Sequence, residues 1–205
     1  PRPHRAFGAQ QQRAFVTHWL SNRTITEVDV ASATIVRTIA TPEDLSGPLS
    51  VNPDGTRAAV GIQNAARVWD LTAGTPGASI TATASVNRFI TTADGLYAFC
   101  VGFNGSLLSY ATQGLVAQTN QFVSTTVGAV SPTDPLAISV GTTFGEDMIV
   151  HRTNGPAGGR VQNLYSGPDA EGDRARTGAI TPDGTRAVAV NILSDSAAIF
   201  DVASG

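Results

Sequence analysis

The chain is 205 residues long, 41% hydrophobic and only 14% charged, with a net charge of −3. Its 13 basic residues are all Arg, set against 16 acids, so it lacks the basic stripe of a nucleic-acid surface. No apolar run approaches the roughly 20 residues that a membrane helix needs. The single cysteine, Cys100, excludes an intrachain disulfide and any Cys-based metal or haem motif.

Taken in chain order, the sequence repeats itself about every 40 residues. The first copy, 4–40, contains HRAFGAQQQRAFVTHWLSNRTITEVDVA and closes on a β-branched run, Ala33 to Ile39. The second, 48–82, contains VNPDGTRAAVGIQNAARVWDLTAG. The third, 88–124, carries TTADGLYAFCVGFNGSLLSYATQG at a spacing of 40. The fourth, 127–166, reads VSPTDPLAISVGTTFGEDMIVHRTNG in the same frame. The fifth, 177–205, reads ITPDGTRAVAVNILSDSAAIFDVASG, aligns with the fourth without a gap and stops after its third strand.

Each copy follows one grammar. A short apolar strand ends, in the second, third and fifth copies, at Asp-Gly, which supports a tight hairpin because Gly accepts positive φ and Asp bonds back into its own turn; this turn is missing in the first copy and altered at Pro132-Thr133-Asp134 in the fourth. A second strand of small and β-branched residues suits a sheet buried on both faces. A polar loop, a third strand ending at Asp-x-x-x-Gly and a fourth strand complete the unit. Gly or Pro interrupts every window long enough for a helix. Four short antiparallel strands per 40 residues predict one all-β domain over 1–205, a β-propeller of about five blades with the last incomplete. An unpaired last blade is an aggregation liability. We therefore expect a part of a larger propeller, its other blades on further sequence or on another chain.

Phe15-Val16-Thr17-His18 resembles the signature of the YVTN β-propeller repeat family. Pro-Asp-Gly-Thr-Arg-Ala at 53–58 and 182–187 is similar to that family's first hairpin. Asp29-Val30-Ala31, Asp70 to Gly74 and Asp201 to Gly205 are similar to its third-strand ending. The signature Asn is replaced by His18, Ile62, Gly102 and Gly141 and is present only at Asn191. The resemblance implies a bacterial or archaeal, often seven-bladed binding module, secreted, periplasmic or on the cell surface. Its relatives include lactone hydrolases and partners of redox enzymes.

In such a blade the loops from strand two to three, and from strand four to the next blade, open on one face. Loops on a rigid scaffold carry function. Half of the acids fall there, among them Glu43, Asp44, Glu146, Asp147 and Asp195, with Arg88 beside them. They form either a surface for a cation or basic partner, or solvated loops balanced by Arg23, Arg88, Arg174 and Arg176. In the longest loop, Asp169, Glu171 and Asp173 alternate around Gly172, giving either a Ca²⁺ loop or a polar insertion. His18 and Asn191, at matching blade positions, are the only candidates for the central channel. No Gly-x-Ser-x-Gly elbow is present. The expected function is a non-catalytic scaffold presenting its loop face to a protein, polysaccharide or small ligand, with no cofactor evident beyond calcium. The alternative is the propeller domain of a lactonase-like hydrolase or of a haem enzyme's partner.

Overall fold

The computed structural model describes residues 4–7, 12–18, 23–63, 65–81, 86, 88–92, 94–101, 106–118, 125–130, 136–141, 148–152, 161–162, 175–191 and 196–202. Among them there is no helix, and every strand pairing is antiparallel. The first sheet runs in chain order through β1 (His4–Phe7), β2 (Arg13–Thr17), β3 (Thr24–Asp29) and β4 (Thr34–Ala40). The second holds β5 (Leu45–Val51), β6 (Arg57–Ile62) and β7 (Ala65–Asp70). Its fourth position is shared by β8 (Thr75–Pro76) and β9 (Ile80–Thr81), both paired to β7. The third comprises β10 (Arg88–Thr91), β11 (Tyr97–Val101), β12 (Ser106–Ser109) and β13 (Gly114–Gln118). The fourth comprises β14 (Thr125–Val130), β15 (Leu136–Gly141), β16 (Met148–Arg152) and β17 (Val161–Gln162). In the fifth, β18 (Ala175–Ile180), β19 (Arg186–Asn191) and β20 (Ser196–Asp201) are described. The second sheet starts at Leu45, before the boundary at 48 expected from the repeat. A bulge carrying Gly47 (φ 114) and Pro48 lets the strand begin inside what read as a loop.

In three copies the first hairpin is built around an Asp carboxylate that accepts from the amide two residues on, with hydroxyls added to it. Asp54 Oδ1 accepts from the Thr56 amide at 2.8 Å and its hydroxyl at 2.6 Å. Asp94 Oδ1 accepts from the Thr92 hydroxyl and the Leu96 amide. Asp183 Oδ1 accepts from the Thr181 and Thr185 hydroxyls and the Thr185 amide. Gly55, Gly95 and Gly184 take positive φ of 69–74° beside them. The amides of Leu71, Tyr110 and Val202 then reach back to the carbonyls of Thr56, Leu96 and Thr185, tying the end of strand three to the turn. Opposite residues Arg57 and Asp70 form an ion pair at 3.0 Å. Arg13 and Asp29 occupy the same two positions in the first sheet at 3.6 Å.

The sheets pack face to face in chain order, with successive first strands adjacent: β1 on β5, β5 on β10, β10 on β14 and β14 on β18. Because side chains alternate along a strand, neighbours on β6 serve opposite interfaces. Ala58, Val60 and Trp69 join Phe15, Ile25 and Ile39 of the first sheet. Ala59, Ala66 and Val68 join Phe89, Ala98, Cys100 and Leu108 of the third. Burial on both faces explains the near-continuous apolar strands. Each large, fully buried side chain such as Trp69 or Phe15 contributes roughly 1.5–3 kcal/mol. Polar ties cross the same seams. The Thr17 hydroxyl donates to the Gly47 carbonyl at 2.5 Å, and Thr91 links Ser50, the Val51 carbonyl and the Tyr110 hydroxyl.

Candidate functional site

The turn between β3 and β4 and the Asp-Gly hairpins lie at one end of the sheets. At the other end, the first and second sheets enclose an open groove of about 400 Å³, lined by Arg23, Glu43, Asp44, Ile62, Gln63 and Ala65, with Ser79 at its margin. The segment leading out of β4 builds the wall. The Thr41 amide donates to the Arg23 carbonyl at 2.7 Å, and the Thr41 hydroxyl donates to the Glu43 carbonyl at 2.9 Å. Two Arg–carboxylate pairs flank the space. Arg23 Nε meets Asp44 Oδ1 at 2.7 Å, with both side chains substantially exposed. Arg67 Nη2 meets Glu43 Oε1 at 2.6 Å in a more enclosed setting.

Burial separates the two pairs energetically. The exposed Arg23–Asp44 pair is worth at most about 1 kcal/mol. Arg67 keeps only 19% of its side chain exposed, so stripping its carboxylate would strand a largely desolvated charge. Glu43 Oε2 is buried and has no hydrogen-bond partner among the described residues. The groove lining is thus mainly polar, with Asp44 its exposed carboxylate and Glu43 held inward by Arg67. That is the chemistry of a site for a hydrogen-bond donor, a guanidinium, ammonium or amide.

A cavity of about 350 Å³ opens at the opposite end between the second and third sheets, lined by Asn52, Asp54, Arg57, Asp94, Leu96 and Tyr110 among others. Its acids are consumed by their own turns. The groove carboxylates are instead paired with Arg23 and Arg67, Asp44 remaining substantially exposed.

Of the residues singled out from sequence, Glu43 and Asp44 come together in the groove, each held by an Arg. Arg88 is the exposed first residue of β10 rather than part of the preceding loop. His18 follows β2, and its Nε2 lies 3.3 Å from the Thr26 hydroxyl on the adjacent strand, a local tie. Asn191 ends β19, its backbone paired with Ala175 and Ser196. Glu146, Asp147, Asp195, Asp169, Glu171 and Asp173 lie outside the described residues. Among the described residues no group of three or more His, Cys, Asp or Glu is placed to hold a metal ion. Pattern reading missed Arg67. Its signal was a lone charge inside Ala65-Ala66-Arg67-Val68-Trp69, where its neighbours are buried.

No protein-family model matches the chain, and no curated protein matches it. Solved structures do. A chain of Kuenenia stuttgartiensis hydrazine synthase superposes with a TM-score of 0.63 at 17% identity, over 92% of this chain and 55% of that one. A chain of the mitotic checkpoint complex superposes with a TM-score of 0.58 at 16% identity, over 97% of this chain and 75% of that one. This chain thus spans little more than half the length of the hydrazine synthase chain it matches. At such identities the likeness is one of fold alone. The protein has an all-β, propeller-type fold of four-stranded antiparallel sheets, and the resemblance to the YVTN repeat is carried by its own motifs without a matching family model.

Proposed function

We propose that this protein is a non-catalytic binding scaffold whose groove between the first and second sheets receives a donor-bearing segment of a protein partner. The observation that carries the reading is the gathering of Glu43 and Asp44 in the groove lining, Asp44 keeping 42% of its side chain exposed beside Arg23. A basic or amide side chain placed there donates a charge-assisted hydrogen bond to the exposed Asp44 carboxylate. The matching chain of the mitotic checkpoint complex belongs to an assembly of proteins, which agrees with a protein partner. The same reading takes the chain as a YVTN-like part of a larger propeller, secreted, periplasmic or on the cell surface. It keeps Ca²⁺ at Asp169, Glu171 and Asp173 as a separate, structural element.

The test is selection of a random-peptide library on the immobilised protein, counter-selected on Ser79→Trp. Ser79 is exposed at the groove margin, so a bulky ring there occludes the space without disturbing either ion pair. Enrichment of Arg- or Lys-bearing peptides that the variant rejects is expected. Peptides that bind both proteins equally, or no enrichment at all, contradict the reading.

A further inference from the structure

The five sheets are internal controls for one another. In the second sheet, Ala59 and Val68 are cross-strand partners, and with Ala66 they form the face turned to the third sheet. There Ala59 and Val68 are fully buried and Ala66 is 2% exposed. Superposing the Pro-Asp-Gly-Thr-Arg-Ala hairpins at 53–58 and 182–187, and Asp70 on Asp201, makes Val188 the counterpart of Ala59. On the same register Ile199 is the counterpart of Val68, and Ala197 of Ala66. Val188 and Ile199 are likewise cross-strand partners.

The environments of these counterparts differ sharply. Ile199 is 67% exposed and Val190, on the same face, is 39% exposed. Ala197 and Ala179 are exposed with them. The opposite face of the same sheet is covered. Ala187, the counterpart of Ala58, is fully buried, and β18 packs against β14 and β15 of the fourth sheet. One face of the fifth sheet is thus a finished blade interface. The other carries the same apolar pattern with nothing over it among the described residues. Contiguous large apolar side chains on a sheet face mark a contact surface.

We infer that this outward face of the fifth sheet seats a further four-stranded blade of the same repeat. The occupant follows from the interface that the chain itself supplies between its second and third sheets. Ala59, Ala66 and Val68 are covered there by Phe89, Ala98, Cys100 and Leu108, from the first three strands of the next blade. A blade presenting such a mix of aromatic and small residues matches Val188, Val190, Ala197 and Ile199. The rim repeats as well, since Arg186 and Asp201 stand opposite each other where Arg57 and Asp70 are ion-paired. The inference rests on the proposed reading of this chain as part of a larger propeller, which it deepens by naming the face, and is independent of the groove beside Glu43.

Carbene footprinting of the natively purified protein, with every polypeptide that accompanies it, tests this. Val68 serves as the covered reference and Leu96, 55% exposed, as the open one. Ile199 and Val190 should label at the low level of Val68. In Ile199→Glu, with the near-UV tryptophan signal retained as proof of fold, labelling of Val190 should rise at least fivefold toward that of Leu96. Labelling of Ile199 at the level of Leu96 in the native material overturns the inference. Protection confined to species whose mass is a whole multiple of this chain overturns it too, since a second copy would then be the occupant.

Discussion

The turn glycine Gly95 is seated directly against Pro53 of the neighbouring sheet. A methyl group added at Gly95 would overlap Cγ and Cδ of the Pro53 ring. The equivalent Gly55 has φ 74 and nothing within 4 Å of such a methyl group, whereas Gly95 combines φ 71 with that contact. The two hairpins are alike in sequence, so the difference between them measures sheet-to-sheet packing. Gly55→Ala should cost about 1 kcal/mol, the left-handed penalty offset by lower chain entropy. Gly95→Ala should cost about 3 kcal/mol, because overpacking adds to it. Urea melts of both variants check this, and Pro53→Ala should recover part of the Gly95→Ala loss in a double-mutant cycle.

A second prediction concerns the turn between strands three and four. The residue before strand four is left-handed in three sheets, as Ala33 (φ 55), Gly74 (φ 69) and Gln113 (φ 52). Only the second sheet puts glycine there. Left-handed backbone costs an L-residue roughly 1–2 kcal/mol, and glycine's extra chain entropy costs about 0.5–1 kcal/mol. Ala33→Gly should stabilise the protein by about 0.5–1 kcal/mol, read as a rise of about 1–4 °C in Tm, and Gln113→Gly by less, because the Gln113 side chain packs against Gly77. Destabilisation by either change would mean that the turn is held by contacts of the side chain itself.

Acid should loosen the hairpins. Asp183 is held down to about 2 by the Thr181 hydroxyl, then by the amide and hydroxyl of Thr185. Asp54 is lowered chiefly by the Thr56 hydroxyl, and Asp29 chiefly by the Ser32 amide. A carboxyl whose folded value is depressed contributes stability that is complete above its ordinary value, 3.8, and lost as pH falls through the folded one. Tm should therefore fall between pH about 4 and pH about 2, and Asp183→Asn should flatten part of that limb. An acid limb unchanged in the variant contradicts the assignment.

Cys100 should be silent. It is 1% exposed, between the second and third sheets, and burial pushes its thiol up to about 12. A disulfide reagent at pH 8 should react only at the rate of unfolding, rising with urea. Rapid labelling in native buffer would show that the seam beside Phe89 and Leu108 opens.

The repeat, its turn chemistry and the two-faced burial of its strands were legible because each is local. Asp54, Asp94 and Asp183 declare their hairpins within six residues, and Arg57 and Asp70 sit at fixed offsets from those turns. The divided fourth strand of the second sheet was not read. Gly77 lies so close to Gln113 of the third sheet that a side chain would collide with it, a constraint set by the neighbouring sheet. The groove was half legible. Glu43 and Asp44 were assigned to the loop face, but the pairing of Glu43 with Arg67 joins the connection after β4 to β7 and follows from how the two pack, which repeat spacing does not encode.

The most direct measurement is calorimetric titration of a selected basic peptide into the wild-type protein, Asp44→Asn and Ser79→Trp. Asp44 and Ser79 both line the groove, and neither anchors the core. A groove that binds through donor capture and shape predicts at least tenfold weaker binding to Ser79→Trp, a severalfold loss in Asp44→Asn and an unchanged Tm in both. Equal affinity for all three proteins would place the binding surface elsewhere and contradict the account.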